Sequence, residues 1–246
     1  MPKTLWFTTG PYKLLILCLS CCFAVSLTAQ QSKTIDYAKM YGQDYQKALD
    51  FCRDNKWITD SLTKHDIQPE VAMAVIFPEL IRYSTVQDYA ETKALEVLYV
   101  QYGKDYANYS IGPFQMKPSF IEQLEKDWNT LIPESGKQKH GIMTFPYPDN
   151  SPARNKLLSR LKTQEWQFRY LLMFMVVTEE KFSPLLPAST TDRLAFLATA
   201  YNCGYWRPIS EIEKNLTLNY FYTGLIKPAL CQNYAAIALA YYLSGK

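Results

Sequence analysis

A single glutamate in an apolar segment is the residue of this sequence best suited to acid–base chemistry. Glu79 follows the uninterrupted apolar run Val71–Pro78 and precedes Leu80 and Ile81. A carboxylic acid keeps its proton near neutral pH only where its surroundings disfavour the charged form, and apolar neighbours do so. Such an acid can protonate the leaving oxygen of a glycosidic bond. Because proline tends to end a helix, Pro78 predicts that the helix stops where the acid projects.

A simpler interpretation of Glu79 is a surface ion pair. Arg82 lies three residues further along the chain, a spacing at which oppositely charged side chains on a helix meet. Most such pairs are solvated and contribute little to stability. Taken alone, the segment favours this interpretation, and the case for catalysis depends on two later stretches of the chain.

The first of these stretches is Ser110–Pro118, which reads Ser-Ile-Gly-Pro-Phe-Gln-Met-Lys-Pro. Gly112 permits close approach of the backbone to a ligand, and Gln115 offers both a donor and acceptors for sugar hydroxyl or acetamido groups. Phe114 supplies a flat apolar surface. The alternative is an ordinary turn in which Phe114 and Met116 fill the core while Gln115 is exposed.

The second stretch is Ala200–Gly204, which reads Ala-Tyr-Asn-Cys-Gly at the end of an apolar helical segment. Gly204 is a typical stop for that helix. Tyr201 and Asn202 would then be presented together at the helix end. The alternative is a plain helix terminus with an amphipathic tyrosine.

In order and in chemistry, the three stretches resemble the sequence blocks of the lysozyme-like lytic transglycosylases, a family that includes goose-type lysozyme relatives. Its usual forms are a helix ending in Glu-Ser, then Gly-Leu-Met-Gln-Ile-x-Pro, then Ala-Tyr-Asn-Ala-Gly. The resemblance covers roughly Gln68 to Arg207. It implies a lysozyme-like single domain of packed helices that cleaves the MurNAc-GlcNAc β-1,4 bond of peptidoglycan.

The resemblance also implies roles for individual residues. Glu79 would be the one catalytic carboxyl group, acting first as acid and then as base, with the substrate's own N-acetyl group as nucleophile. The product would be a 1,6-anhydro-MurNAc end, formed without cofactor or metal. Tyr201 would orient Glu79, and Asn202 would hold an N-acetyl group. The implied substrate-binding residues are Gln115, Phe114, Ser110, Tyr201 and Asn202.

Several positions depart from the family pattern and keep other functions open. Leu80 stands where serine is usual, Pro113 and Phe114 replace Leu-Met, and Cys203 replaces alanine. The first alternative is a hydrolase of the goose-type lysozyme kind, in which a second carboxylate such as Asp105 assists Glu79. The second is a non-catalytic periplasmic protein that binds glycan in the same cleft.

The N-terminus predicts export. Lys3 and Lys13 precede the apolar run Leu14–Leu27, and small residues allow cleavage after Ala29, so we interpret residues 1–29 as a signal peptide. The run is too short to span a bilayer comfortably, since this needs roughly 20 apolar residues. The expected location is the periplasm or cell envelope, where peptidoglycan strands are the expected partner.

Two alternatives remain for this leader: an uncleaved membrane anchor and, less favoured, a lipoprotein modified at Cys21 or Cys22. Residues 30–246 contain no other long apolar run, so we expect one domain without a membrane span. The formal net charge of +3 is only mildly basic, and no Lys/Arg block indicates nucleic-acid binding.

Cysteines and histidines give no metal-binding pattern. Cys52, Cys203 and Cys231 follow the leader, which allows one disulfide and a free thiol or three buried thiols. His65 and His140 are isolated from each other and from the cysteines in sequence, which argues against zinc.

Apolar spacing at three and four residues predicts a mainly α fold without strands. The most apolar segment, Trp166 to about Phe182, is expected at the centre of the core. Asn129 to Pro152 breaks the periodicity and is interpreted as a long surface excursion. Helices are predicted from Ile35 to about Trp57, from Pro69 towards Glu79, from Thr85 or Val86 to Tyr102, from Pro118, over Asn155–Leu161, over Trp166–Phe182, from a cap at Thr190 or Thr191, and over Gln232–Leu243.

Overall fold

A computed structural model of the protein describes residues 35–83, 89–148, 150–223 and 231–245. Within these residues the chain forms twelve α-helices and one two-stranded antiparallel sheet, so the predicted mainly α class is confirmed. Residues Asp36–Lys246 form one compact unit. The predicted signal peptide, residues 1–29, lies outside the described residues. In the part of the chain that is described, no helix has both the length and the apolar character needed to cross a membrane.

The elements follow one another along the chain in a simple order, with short connections between most of them. They are α1 (Tyr37–Tyr41), α2 (Gln43–Asp54), α3 (Lys56–Lys64), α4 (Pro69–Tyr83), α5 (Tyr89–Tyr102), α6 (Pro118–Leu131), α7 (Glu134–His140), α8 (Ser151–Leu161), α9 (Gln164–Phe182), α10 (Thr190–Cys203), α11 (Ile209–Asn215), β1 (Phe221–Tyr222), β2 (Cys231–Gln232) and α12 (Tyr234–Leu243).

Some helix boundaries differ from the predicted ones. The single helix expected from Ile35 to Trp57 is divided, because Gly42 adopts φ +54° and ψ −117° between α1 and α2. The cap of α10 is Ser189, whose hydroxyl accepts from the Asp192 amide, and not Thr190 or Thr191. Helices α3, α7 and α11 and the small sheet were not predicted.

The stretch expected to be a surface excursion, Asn129 to Pro152, instead contributes to the core. It contains α7, and Ile142 and Phe145 are buried. The indole nitrogen of Trp128 donates to the Ile142 carbonyl over 3.2 Å. Prolines and glycines mark reversals of the chain, and they do not by themselves indicate exposure.

Helix α4 is the centre of the packing around the candidate acid. Every residue from Val71 to Ile81 is buried, and α2, α3, α10 and α12 pack around the helix. The helix continues through Pro78 to Tyr83, so the predicted end at Glu79 is wrong. Pro78 has no N–H to donate to the Ala74 carbonyl one turn back, so packing by the surrounding helices holds α4 together at this point. The Tyr234 hydroxyl adds a contact to the next carbonyl, that of Val75, over 2.9 Å. Helix α9 is also largely buried, as expected.

A tight turn at residues 111–116 is held against the core by one buried side chain. Ile111 and Met116 pair across the turn as an isolated antiparallel bridge. Gln167, on α9, accepts from the Phe114 amide over 2.9 Å and donates to the Ile111 carbonyl over 3.1 Å. Gly112 has φ +68°, and a β-carbon at this position would lie 1.7 Å from the Gln167 amide nitrogen. The turn therefore requires glycine for its conformation and for space.

We expect Gly112→Ala to destabilise the fold by at least about 2 kcal/mol more than Gly141→Ala does. The control residue Gly141 has a similar φ of +63° with no atom near its missing β-carbon, so both variants share the backbone strain of roughly 1–2 kcal/mol. Only Gly112→Ala displaces Gln167. Urea unfolding of the two variants measures the difference, and equal unfolding free energies would contradict this account of the turn.

Candidate functional site

Three distant parts of the chain meet around a cavity of about 530 Å³. Its walls come from the C-terminal half of α4, the segment 108–120, the C-terminal end of α10 and the residues that follow it as far as Tyr220. All but one of the predicted site residues line it: Glu79, Ser110, Gln115, Tyr201 and Asn202. The exception is Phe114.

The carboxyl group of Glu79 lies in this cavity with little access to water. The residue is 5% exposed, and its Oε2 atom has no hydrogen-bond partner among the described residues. Arg82 Nη1 is 3.8 Å from the same oxygen. Burial raises the pKa of Glu79 to about 7, while Arg82 and Lys117 act in the opposite direction. The carboxyl group is therefore not the solvated half of a surface ion pair.

Two buried tyrosines stand close to Glu79 without binding its carboxyl group. The Tyr201 hydroxyl donates to the Phe114 carbonyl over 2.8 Å, and that of Tyr234 donates to Val75 in α4. Burial and, secondarily, the nearby Glu79 raise the pKa of both tyrosines. Tyr201 therefore ties the turn at 111–116 to α10, and its hydroxyl donates to the Phe114 carbonyl and not to Glu79, the residue it was expected to orient. Tyr234 was missed because it lies beyond the three sequence blocks.

Gln115 occupies a strained position at the cavity wall. Its φ is +49°, a conformation that is rare for residues other than glycine and that concentrates at functional sites. Its side-chain amide donates to the Gly112 carbonyl over 2.9 Å, which closes the turn. Among the described residues its amide oxygen takes part in no hydrogen bond, so it can accept one from a ligand.

The structure does not support the substrate-binding role predicted for Phe114. Its ring is fully buried and packs edge-on against Phe51, with the ring centroids 6.1 Å apart. It points into the core because Gln167 and Tyr201 hold its backbone amide and carbonyl from the opposite sides. Asp105, the suggested second carboxylate, is exposed and does not line the cavity.

An aromatic wall that the sequence analysis missed follows the third block. Gly204 has φ +100°, and a β-carbon there would lie 2.8 Å from the Trp206 ring. The missing side chain lets the half-exposed indole of Trp206 lie against the end of α10, where it lines the cavity. The sequence signal for this wall is Gly204-Tyr205-Trp206, which follows Cys203.

Polar groups of the cavity are left without protein partners. In the described part of the chain, Asn202 Nδ2 and the Tyr220 hydroxyl are buried, and no protein group meets either of them in hydrogen-bond geometry. The two side chains are neighbours, since burial raises the pKa of Tyr220 and Asn202 opposes that effect. Together with Glu79 Oε2, they give the cavity three buried polar atoms that a ligand can satisfy.

Charged side chains make the rest of the cavity wall mostly basic. Arg82, Lys117 and Arg207 line it, against Glu79 and Glu211. Glu211 forms an ion pair with Arg207, whose guanidinium also donates to the Cys203 carbonyl. The arrangement suits a ligand that is polar or carries negative charge.

Comparison with protein-family models, curated proteins and solved structures finds no match for this chain. The relationship to the lytic transglycosylases therefore remains a resemblance of three short blocks.

Outside the cavity, the structure changes two statements about cysteine and histidine. Cys52, Cys203 and Cys231 are free thiols, but each is only partly buried, so the second alternative holds for their pairing and not for full burial. His65 and His140 are not isolated from each other: their Nδ1 atoms lie 3.3 Å apart. No group of three or more His, Cys, Asp or Glu side chains within the described ranges is arranged to hold a metal ion.

We expect Glu79→Gln to stabilise the protein by roughly 1–3 kcal/mol at pH 8 and to have little effect at pH 4. The folded-state pKa of about 7 is above the ordinary value of 4.5, so the stability associated with the protonated carboxyl is present below pH 4.5 and is lost as the pH rises through 7. Thermal unfolding across this range measures the effect.

Glu125→Gln is the matched control for a buried carboxylate with partners. Glu125 is also buried, but it pairs with Arg160 and accepts from the Tyr170 hydroxyl over 2.6 Å. Its replacement leaves a buried guanidinium unpaired and is expected to destabilise by roughly 3–5 kcal/mol. Destabilisation by both variants at pH 8 would contradict the view that Glu79 is strained in its charged form.

Proposed function

We propose that this protein is an exported lytic transglycosylase that cleaves the MurNAc-GlcNAc β-1,4 bond of peptidoglycan. One observation carries the proposal: a buried carboxyl group with a pKa of about 7 shares a cavity with residues of all three sequence blocks. A general acid that works near neutral pH needs such a pKa, and Glu79 has it because of its surroundings.

The other groups of the cavity suit a sugar substrate. Sugar rings combine apolar faces with hydroxyl and acetamido groups, and the site offers the Trp206 ring together with the amides of Gln115 and Asn202. In this proposal Trp206 packs against a sugar face, and Asn202 Nδ2 donates to an N-acetyl carbonyl. Ser110 and Lys117 complete the wall nearest the turn.

In the first step, the protonated Glu79 donates its proton to the glycosidic oxygen. The bond from this oxygen to C1 of MurNAc breaks as the N-acetyl carbonyl oxygen of the same sugar bonds to C1. In the second step, the Glu79 carboxylate accepts the proton of the O6 hydroxyl, and O6 attacks C1 and displaces the N-acetyl oxygen. The product is a 1,6-anhydro sugar, no water is consumed, and Glu79 regains its proton.

The positions of the other carboxylates favour this reaction over hydrolysis with Asp105. Among the described residues, Glu79 and Glu211 are the carboxylates that line the cavity. Glu211 is neutralised by Arg207, and Asp105 is exposed outside the cavity. A single acid that later acts as base needs no second carboxylate.

Glu79→Gln is expected to lower the rate of fragment release from purified cell-wall sacculi by at least about 10³-fold, because the amide can neither donate nor accept the proton at useful strength. Glu211→Gln and Asp105→Asn serve as carboxylate controls and are expected to remain within about tenfold of the unsubstituted enzyme. Chromatography of the soluble fragments provides the rates.

Several results would reject parts of this proposal. Unchanged release by Glu79→Gln would remove Glu79 from catalysis. Reducing sugar ends in the mass spectra, in place of anhydro ends, would identify a hydrolase. Binding to sacculi without any released fragment, even at high protein concentration, would favour a non-catalytic glycan-binding protein.

The pH dependence of cleavage provides an independent test. The acid form of Glu79 is the reactive one in the free enzyme, so kcat/KM is expected to fall tenfold per pH unit above a pKa of about 7. Lys117→Met removes a charge that lowers this pKa and should move the alkaline limb to higher pH. A limb that stays in place in Lys117→Met, or that moves to lower pH, would contradict the electrostatic account.

A further inference from the structure

Two large tyrosine rings are exposed together on the chain that leads to the cavity. Tyr102, at the end of α5, and Tyr106 are 57% and 69% exposed. Their rings are in contact, with the centroids 5.2 Å apart. We call these two residues the tyrosine platform. Grouped exposed aromatic rings commonly mark a binding surface, whereas single ones need no explanation.

A lysine joins the platform to helix α6. Lys104 Nζ lies 2.8 Å from a carboxylate oxygen of Glu122. This hydrogen bond with Glu122 raises the pKa of Lys104. Glu122 is one helical turn from Ser119, a residue of the cavity wall. The first turns of α6 therefore border both the platform and the cavity.

The segment 106–110 gives a second connection between platform and cavity. Along it, burial alternates: Ala107 is buried and Tyr109 has a buried hydroxyl, whereas Asn108 is exposed. Asn108 and Ser110 line the cavity. Asn108 is two residues from Tyr106 and accepts from the Ser119 amide over 3.1 Å, which fixes this segment to the cavity end of α6. Four residues separate Tyr106 from Ser110, so at ~3.3 Å per residue the two lie at most ~13 Å apart. A glycan strand bound in the cavity can cover this distance with a few sugar rings.

We propose that the tyrosine platform is a distal subsite that binds further sugar rings of the glycan strand whose scissile bond lies at Glu79. The apolar faces of sugar rings pack on Tyr102 and Tyr106, and hydroxyl groups bond to Lys104 and Asn108. Continuity with the cavity identifies the occupant, since a polymer that leaves the cavity along 106–110 must pass over Tyr106. The reaction at Glu79 rests on the proposed function, but binding at the platform needs only a glycan.

The test measures affinity for peptide-free peptidoglycan oligomers of two lengths, a tetrasaccharide and an octasaccharide, by fluorescence titration. All proteins carry Glu79→Gln, so that no oligomer is cleaved. Adding Tyr102→Ala and Tyr106→Ala together is expected to weaken octasaccharide binding roughly tenfold, the size of an aromatic stacking contact or two. Tetrasaccharide binding should be unchanged. Tyr106→Trp should restore the preference for the longer oligomer.

The control is Tyr222→Ala, which removes a similarly exposed tyrosine on β1, outside the platform. Equal affinities of the platform variant and the control for the octasaccharide would overturn the inference. An equal loss for both oligomers would also overturn it, because the tyrosines would then act on the cavity itself. A change in self-association without a change in glycan binding would make the platform a contact between copies of this chain.

The outcomes for the platform and for the proposed reaction can be told apart. If the oligomers bind with the expected length dependence but the unsubstituted protein releases no fragments from sacculi, the platform stands and the enzymatic proposal fails. If Glu79 proves essential for cleavage and the length dependence is absent, the opposite holds.

Discussion

Glu79 is held in helix α4 at a position where its carboxyl group has lost water without gaining a hydrogen bond. The helix is buried from Val71 to Ile81 by four other helices, so no rotation or shift can return the group to solvent without uncovering apolar residues on both sides. Packing of the surrounding core supplies the free energy that keeps the acid dehydrated. Leu80 contributes to this packing, which explains how the chain tolerates a leucine at that position.

The opposite wall is fixed by two polar side chains that come from different helices. Gln167 on α9 bonds to the Phe114 amide and the Ile111 carbonyl, and the Tyr201 hydroxyl on α10 donates to the Phe114 carbonyl. The strained backbone of Gln115 is thus determined by its neighbours on both sides. Hydrogen bonds to two helices thus hold the turn that carries Gln115, and a site for a specific ligand requires such support.

The sequence was informative where chemistry and spacing act locally. The apolar context of Glu79 predicted its burial, and the glycine at 112 predicted a close backbone approach, although the group that approaches is Gln167 and not a ligand. Contacts between residues far apart in the sequence could not be predicted from it. Phe114 faces the core because Gln167 and Tyr201 hold its backbone, and His65 meets His140 across 75 positions of sequence. The predicted helix end at Pro78 was wrong for a similar reason. The rule that proline ends a helix does not include tertiary packing, and α4 continues to Tyr83 because other helices pack around it.

The balance of forces on Glu79 bears on why one carboxyl group would suffice. Burial alone raises the pKa, and the nearby cations Arg82 and Lys117 limit that rise, so that the value comes to about 7. A group with a much higher pKa would be a weak acid and would rarely be ionised when a base is required. A group with a lower pKa would seldom carry the proton that the first step needs. A residue that donates a proton and then accepts one is most effective when its pKa is close to the working pH. The cations at the rim of the cavity are therefore as much a part of the proposed two-step reaction as the apolar helix that carries the acid.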